Sequence, residues 1–112
     1  MTHIVFPSIN VDNFDKLTFD SVIPVLVFFG AERCHVCNEL LPAVEEIAEE
    51  LTDKMNFYWV DVDEYKSLFK RFRLKGIPQI LIFDQGEIKG RIGGLAKKEE
   101  IQEKIKIVIP EW

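Results

Sequence analysis

Two cysteines separated by two residues are the part of this sequence best suited to chemistry. The motif is Cys34-His35-Val36-Cys37, and the chain has no other cysteine. One turn of helix across such a motif brings the two sulfurs within bonding distance. Because a cysteine thiolate attacks disulfides and also binds metals, the spacing points to a redox-active pair or to part of a metal site.

The motif lies where a predicted buried strand ends and a long helix begins. The first turn of a helix has free N–H groups and the positive end of the helix dipole, which stabilise a thiolate by about 0.3–1 kcal/mol, or up to about 2 in favourable geometry. One pKa unit corresponds to about 1.36 kcal/mol, so the dipole alone lowers a thiol pKa by about one unit. Cys34 is therefore the expected nucleophile. Cys37, one turn further along, is expected to resolve the mixed disulfide.

Besides disulfide exchange, three other uses of the two cysteines remain open. A structural zinc site needs four ligands, and the only histidine besides His35 is His3, far away in the sequence. An iron–sulfur cluster held by cysteines of two chains is the second possibility, and a pair of inert core cysteines is the third. We expect neither a metal nor an organic cofactor.

The elements around the motif follow the pattern of an α/β domain. Residues 22–29 form an apolar run rich in β-branched and aromatic side chains, which predicts a strand buried on both faces, with Pro24 at its start. A helix follows Cys34, and residues 57–62 form the next strand. Two strands joined by about 25 residues with one helix make a parallel βαβ crossover. The apolar stripe of that helix comprises Leu40, Leu41, Val44, Ile47, Ala48 and Leu51.

The second half of the chain continues with a helix, an antiparallel pair of strands and a last helix. The predicted order is β-α-β-α-β-β-α, preceded by a weaker amphipathic stretch and a short strand. The predicted ranges are 64–72 for the second helix, 79–83 and 87–92 for the two strands, 97–109 for the last helix, 11–17 for the amphipathic stretch and 4–6 for the short strand.

Length and composition indicate one globular domain. The 112 residues include 14 Lys and Arg, 19 Asp and Glu and 47% hydrophobic residues, with a net charge of −5 and a pI near 5.0. The acidic balance argues against nucleic acid as the main partner. No apolar run approaches the roughly 18–20 residues of a membrane span, and no signal peptide is visible. We therefore expect a single domain over residues 1–112 in the cytoplasm, with no membrane partner and a monomer favoured.

The sequence resembles the thioredoxin fold family over nearly its whole length. The shared features are the C-x-x-C motif after an apolar strand, Pro42 five residues beyond Cys37, Gly76-Ile77-Pro78 before the antiparallel strands, and Gly93-Gly94 after them. The resemblance implies an α/β fold with a central mixed sheet of four or five strands and helices on both faces. It also implies a cis Ile77–Pro78 peptide bond and pairing of the Ile77 backbone with an extended substrate segment. Ile77, Pro78, Gly93 and Gly94 are then the expected docking surface.

The sequence departs from the family in and around the motif. The family usually has Trp-Cys-Gly-Pro-Cys. Here Arg33 replaces the tryptophan, His35 the glycine and Val36 the proline. A buried aspartate common in the preceding strand of the family corresponds to Phe28, and the lysine that often accompanies it corresponds to Trp59. The resemblance thus implies a site that lacks this charged pair.

These departures lead to two expectations. The absence of the buried carboxylate favours the Cys34 thiolate, and the positive charges of Arg33 and of protonated His35 favour it further. Apolar burial disfavours a charged sulfur, but mainly near Cys37. We expect a lowered Cys34 pKa and a disulfide more oxidising than that of thioredoxin, about −270 mV, but less so than that of DsbA, about −120 mV. Because Phe28 cannot accept a proton, Cys37 must lose its proton to water or to His35, so release of the mixed disulfide should be slow.

The expected function is thiol–disulfide exchange with protein substrates through Cys34 and Cys37. Arg33 and His35 are the expected tuning residues of the thiolate. The chemistry implies a reductase that returns the pair to the dithiol. The alternative is a thioredoxin-like protein-binding or chaperone module with little redox turnover, which the lost aspartate and the lost tryptophan favour.

Overall fold

The chain alternates helices and strands in the order predicted from the sequence. A computed structural model describes residues 6–112. The elements are α1 (Phe14–Leu17), β1 (Val25–Gly30), α2 (His35–Glu50), β2 (Asn56–Asp61), α3 (Lys66–Arg71), β3 (Gln79–Asp84), β4 (Glu87–Gly93) and α4 (Lys98–Lys106). The predicted amphipathic stretch contains α1, whereas the strand predicted over residues 4–6 falls almost entirely outside the described residues.

The four strands of the described chain form one mixed sheet in the order β2-β1-β3-β4. β1 pairs in parallel with β2 and antiparallel with β3, and β3 pairs antiparallel with β4. The predicted parallel crossover and the predicted antiparallel pair are both confirmed. Because β1 has neighbours on both edges and helices on both faces, all six of its residues are buried.

The first strand begins directly after Pro24, close to its predicted start, although the apolar run reaches back to Val22. Val22 is 98% exposed and lies outside the sheet. Pro24 has no N–H to donate to a ladder, so regular pairing starts at Val25. The Pro24 carbonyl still accepts a hydrogen bond from the Asn56 N–H at 3.0 Å, which joins the starts of β1 and β2.

Alternate residues of β1 contact different helices, as the two-residue period of a strand requires. On one face the Phe29 ring belongs to an aromatic cluster with Phe14 of α1, with Phe72 after α3, and with Phe83 of β3. On the other face, a Cβ atom at Gly30 would point towards Cys37 of α2. Helices therefore cover both faces of the sheet, as predicted.

Helix α2 packs through its predicted apolar stripe. Five of the six stripe residues are buried, and Ala48 is half-buried. The acidic side chains lie away from the core, and two of them hold α4: Lys98 Nζ is 3.1 Å from Glu46 Oε2 and 3.3 Å from Glu50 Oε2. No helix within residues 6–112 is long and apolar enough to cross a membrane.

The turn between β3 and β4 explains the glycine in the predicted Asp84-Gln85-Gly86 segment. Asp84 pairs with Glu87, which leaves Gln85 and Gly86 as a two-residue loop. Both have positive φ, 53° and 78°. That is the backbone of a type I′ hairpin turn, for which glycine is well suited.

Candidate functional site

The cysteine motif lies at one end of the sheet, where four chain segments meet. Gly30 at the end of β1 pairs with Asp61 at the end of β2. On the other side Phe29 pairs with Gln79, the first residue of β3, and Gln79 pairs with Gly93 at the end of β4. The residues after β1 and the residues before β3 are therefore neighbours in space.

Cys34 and Cys37 form a disulfide at the start of α2. Their Cα atoms are 5.2 Å apart, within the usual range for such a bond. Cys34 is the N-cap of the helix, with extended backbone angles, and its Sγ accepts a hydrogen bond from the Cys37 N–H at 3.1 Å. A polar atom in this position satisfies one of the free N–H groups of the first turn, as an oxygen does at many helix starts.

The two sulfurs differ in their access to solvent. Cys34 is 9% exposed and Cys37 is 0% exposed. Of the two cysteines, only Cys34 keeps any accessible surface. This order fits the predicted roles, in which Cys34 attacks and Cys37 resolves, and those roles remain predictions.

Phe28 and Cys37 share the space above Gly30. A Cβ atom built on Gly30 would lie 2.9 Å from Phe28 Cε1 and 3.1 Å from Cys37 Sγ. Phe28 is fully buried and is paired in register with Trp59. Among residues 6–112 the only buried polar or charged side chain besides the cysteines is Thr18, so no buried carboxylate lies beside Cys37.

Arg33 is held by a carboxylate from the loop after β2. Its Nε and Nη2 donate to Asp63 Oδ2 at 2.8 Å and to Asp63 Oδ1 at 2.9 Å, a bidentate ion pair. The hydrogen bond from Arg33 lowers the pKa of Asp63, and the same bond raises the pKa of Arg33. The positive charge next to Cys34 is therefore largely offset by a negative charge at hydrogen-bond distance.

His35 also lies near a carboxylate and faces solvent. Its Nε2 is 3.4 Å from Glu39 Oε1, one helical turn away, and its side chain is 90% exposed. A charge in this position is strongly screened by water. Both predicted tuning residues thus have a carboxylate beside them, which weakens the electrostatic argument for a strongly stabilised thiolate.

The predicted docking residues come together at the start of β3. The Ile77–Pro78 peptide bond is cis, as the family resemblance implies. The Pro78 carbonyl accepts a hydrogen bond from the Gly94 N–H at 2.9 Å. A Cβ on Gly93 would lie 2.8 Å from Gln79 Nε2, the far end of that flexible side chain. Ile77 is half-buried and keeps part of its surface accessible.

Both sulfurs are used by the disulfide, which leaves neither for a metal in this state. Within the part of the chain that the structure describes, no group of three or more His, Cys, Asp or Glu side chains is placed to hold a metal ion.

Two features of the site are not predicted by the sequence patterns. The first is the ion pair from Arg33 to Asp63, which joins residues 30 positions apart and has no local pattern. The second is a groove of about 380 Å³ between the motif and α3, which is lined on the α3 side by Lys66, Phe69 and Lys70. A sequence signal for the second exists, because five of the 14 Lys and Arg fall within residues 66–75.

Replacing Gly30 with alanine tests the packing beneath the motif. We expect Gly30→Ala to lower the free energy of unfolding by about 1–3 kcal/mol in urea titrations, because the added methyl overpacks Phe28 and Cys37. Phe28→Leu in the Gly30→Ala background should recover part of the loss, and the double-mutant cycle should give a favourable coupling between the two changes. Additive effects of the two substitutions would contradict this account.

Comparison with known proteins gives one consistent family. The family model described as Thioredoxin matches residues 5–107. A thioredoxin of Rickettsia felis is 35% identical over 89 residues, which cover 80% of this chain and 85% of that protein. A thioredoxin of Acidithiobacillus ferridurans is 34% identical, over 79% of this chain and 82% of its own.

A chloroplastic M-type thioredoxin of Pisum sativum is also similar, 32% identical over 97 residues. The aligned region covers 87% of this chain and 56% of that protein, so the chain spans about half the length of this relative. The matched region includes the cysteine motif, the cis-proline segment and the sheet. This chain belongs to the thioredoxin family.

Proposed function

We propose that the protein is a thiol–disulfide oxidoreductase that acts on protein disulfides through Cys34 and Cys37. The observation that supports this most strongly is the disulfide at the start of α2, with one nearly buried and one fully buried cysteine at the end of the sheet. Membership of the thioredoxin family and similarity to proteins named as thioredoxins support the same chemistry.

In the proposed reaction the dithiol form reduces a substrate disulfide by two electrons. The Cys34 thiolate attacks one substrate sulfur, a new S–S bond forms, and the other substrate sulfur leaves and takes a proton from solvent. Cys37 then loses its proton and attacks Cys34 Sγ. This step forms the intramolecular disulfide and releases the second substrate sulfur, which is protonated in turn. A reductase must supply two electrons and two protons to restore the dithiol.

Docking of the substrate is proposed at Ile77, Pro78, Gly93 and Gly94. An extended segment needs backbone donors and acceptors beside the reacting sulfur, and the segment before β3 lies at the end of the sheet with the motif. The two glycines present no side chains to an approaching segment, and a Cβ at Gly93 would lie 2.8 Å from Gln79 Nε2.

Single cysteine variants test the two roles. Cys34→Ser should abolish reduction of insulin with dithiothreitol as electron source, because no nucleophile remains at the accessible position. Cys37→Ser should retain the first attack and accumulate a mixed disulfide, visible by mass spectrometry as a covalent adduct. Activity in Cys34→Ser, or an adduct on Cys37 in that variant, would contradict the assignment.

The second step is proposed to be the slow one. Cys37 is buried against Phe28, and no buried carboxylate within residues 6–112 can take its proton. With a disulfide of a coloured aromatic thiol, stopped-flow traces should show a fast first release and a slower second release. The second rate should rise with pH between about 6 and 9, because the thiolate fraction of Cys37 limits it. Two equally fast releases that ignore pH would refute the proposal.

The reduction potential is proposed to lie between those of thioredoxin and DsbA, about −270 and −120 mV. The support is the missing buried carboxylate and the position of Cys34 at the helix start, since Arg33 is offset by Asp63. Equilibration with glutathione buffers should give a value above that of thioredoxin. Asp63→Asn should raise it further by freeing the charge of Arg33, while Asp53→Asn, an exposed carboxylate outside the site, should not. A value at or below that of thioredoxin would overturn the proposal.

A protein-binding or chaperone module with little turnover is the second candidate. The small exposure of Cys34 and the apolar surroundings of Cys37 favour it. It predicts a negligible rate of insulin reduction together with protection of an unfolding protein from aggregation, and this protection should persist in the Cys34→Ser variant.

The compartment is proposed to be the cytoplasm. A disulfide that must be reduced again after each turnover needs a steady supply of electrons, which a reducing compartment provides. The names of some relatives contain the word chloroplastic, and the interior of a plastid would meet the same requirement.

A further inference from the structure

We propose that the groove between the motif and α3 selects substrate segments that combine an apolar side chain with carboxylates. The proposal rests on the disulfide exchange of the proposed function, because it names the class of polypeptide that reaches Cys34. It concerns a surface beside the backbone-docking residues and does not change their role.

The groove is lined at one side by the residues that adjoin Cys34 and Pro78 in the chain. Arg33, the neighbour of Cys34, and Ile77, the neighbour of Pro78, both line it, and it extends from there to α3. Its volume of about 380 Å³ is within the range of protein sites that take small ligands, roughly 300–1,000 Å³. Residues of a substrate that flank the exchanging cysteine therefore have a place to lie.

The floor of the groove is apolar. Val62 is buried, and Phe69 and Ile77 are half-buried with accessible surface remaining. When a partner covers accessible apolar surface, the burial of that surface stabilises the complex. An apolar side chain of the substrate is the natural occupant of this part of the groove.

The rim of the groove is positively charged. Lys66 and Lys70 are one helical turn apart, and both are exposed. Within residues 6–112 neither lysine has a carboxylate within 4.0 Å, whereas Arg33 is already paired with Asp63. The ion pair contributes no net charge, so the two lysines leave the groove with an excess of positive charge.

The charge of the groove is opposite to that of the whole chain. The net charge is −5, yet the charged side chains that line the groove are Arg33, Lys66 and Lys70 against the single carboxylate of Asp63. Asp61 and Glu64 precede α3 in sequence, but neither lines the groove. An acidic segment is repelled by most of the molecule and attracted at this position, which both orients the encounter and favours acidic substrates over basic ones.

Peptide disulfides that differ only beside the cysteine test the proposal. The cysteine of each peptide forms a disulfide with a coloured thiol. In the first set of peptides, Leu-Glu-Glu, Leu-Gln-Gln or Leu-Lys-Lys follows the cysteine in the sequence. In the second set, the same three residues precede the cysteine. With dithiothreitol as reductant at low salt, we expect kcat/KM for the acidic peptide to exceed that for the basic peptide by about tenfold in at least one set. The ratio should fall to about twofold at 0.5 M salt because exposed charges are screened.

The Lys66→Glu/Lys70→Glu double variant should reverse the preference while it still reduces the Leu-Gln-Gln peptide. The matched control is Lys54→Glu/Lys104→Glu, which makes the same change in net charge at exposed residues that do not line the groove. This control should keep the preference for the acidic peptide. Equal rates on acidic and basic peptides, or a preference that both double variants lose alike, would overturn the proposal.

Binding of peptides in which serine replaces the cysteine separates this proposal from the redox function. We expect the acidic serine peptide to bind more tightly than the basic one in a fluorescence titration, and the Lys66→Glu/Lys70→Glu variant to remove the difference. If no peptide disulfide is reduced but the acidic peptide still binds selectively, the redox function fails and the groove proposal holds. Reduction without any charge preference in rate or in binding would reject the groove proposal alone.

Discussion

The hydrogen bond from the Cys37 N–H to Cys34 Sγ is the interaction on which the site depends. It places a sulfur where a helix start ordinarily has a serine or aspartate oxygen, so the side chain that caps α2 is also the proposed nucleophile. The arrangement requires that β1 end at a fixed point. β1 is a central strand and is fully buried, so its end, and with it the start of α2, is held by pairing on both edges.

The core around this bond holds almost no charge. Phe28 fills the space beside Cys37, and Gly30 leaves room for its ring. The charge of Arg33 is offset by Asp63, and the His35 ring lies 3.4 Å from a carboxylate oxygen of Glu39. What remains to stabilise a thiolate at residue 34 is mainly the helix start itself, a modest and local effect.

Much of this architecture is readable from local patterns. The apolar run before the motif, the helical stripe of α2 and the Asp84-Gln85-Gly86 turn each specify one element, and the family resemblance implies the cis bond at Pro78. The apolar run extends to Val22, but strand pairing begins at Val25, directly after Pro24, which the sequence predicts to lie at the start of the strand. The ion pair from Arg33 to Asp63 could not be predicted, since it depends on two side-chain conformations across a crossover.

The groove shows why overall composition is a poor guide to the surface. A net charge of −5 describes the chain as acidic, but charge acts over about one Debye length, roughly 8–10 Å, so a partner near Cys34 experiences the local balance instead. Locally the cations of α3 outweigh the carboxylates that line the groove. Under the two proposals, reactivity belongs to the start of α2 and choice of partner to α3. Because these are separate helices, the proposals predict that substitutions on α3 change which disulfides are reduced without changing the cysteine pair.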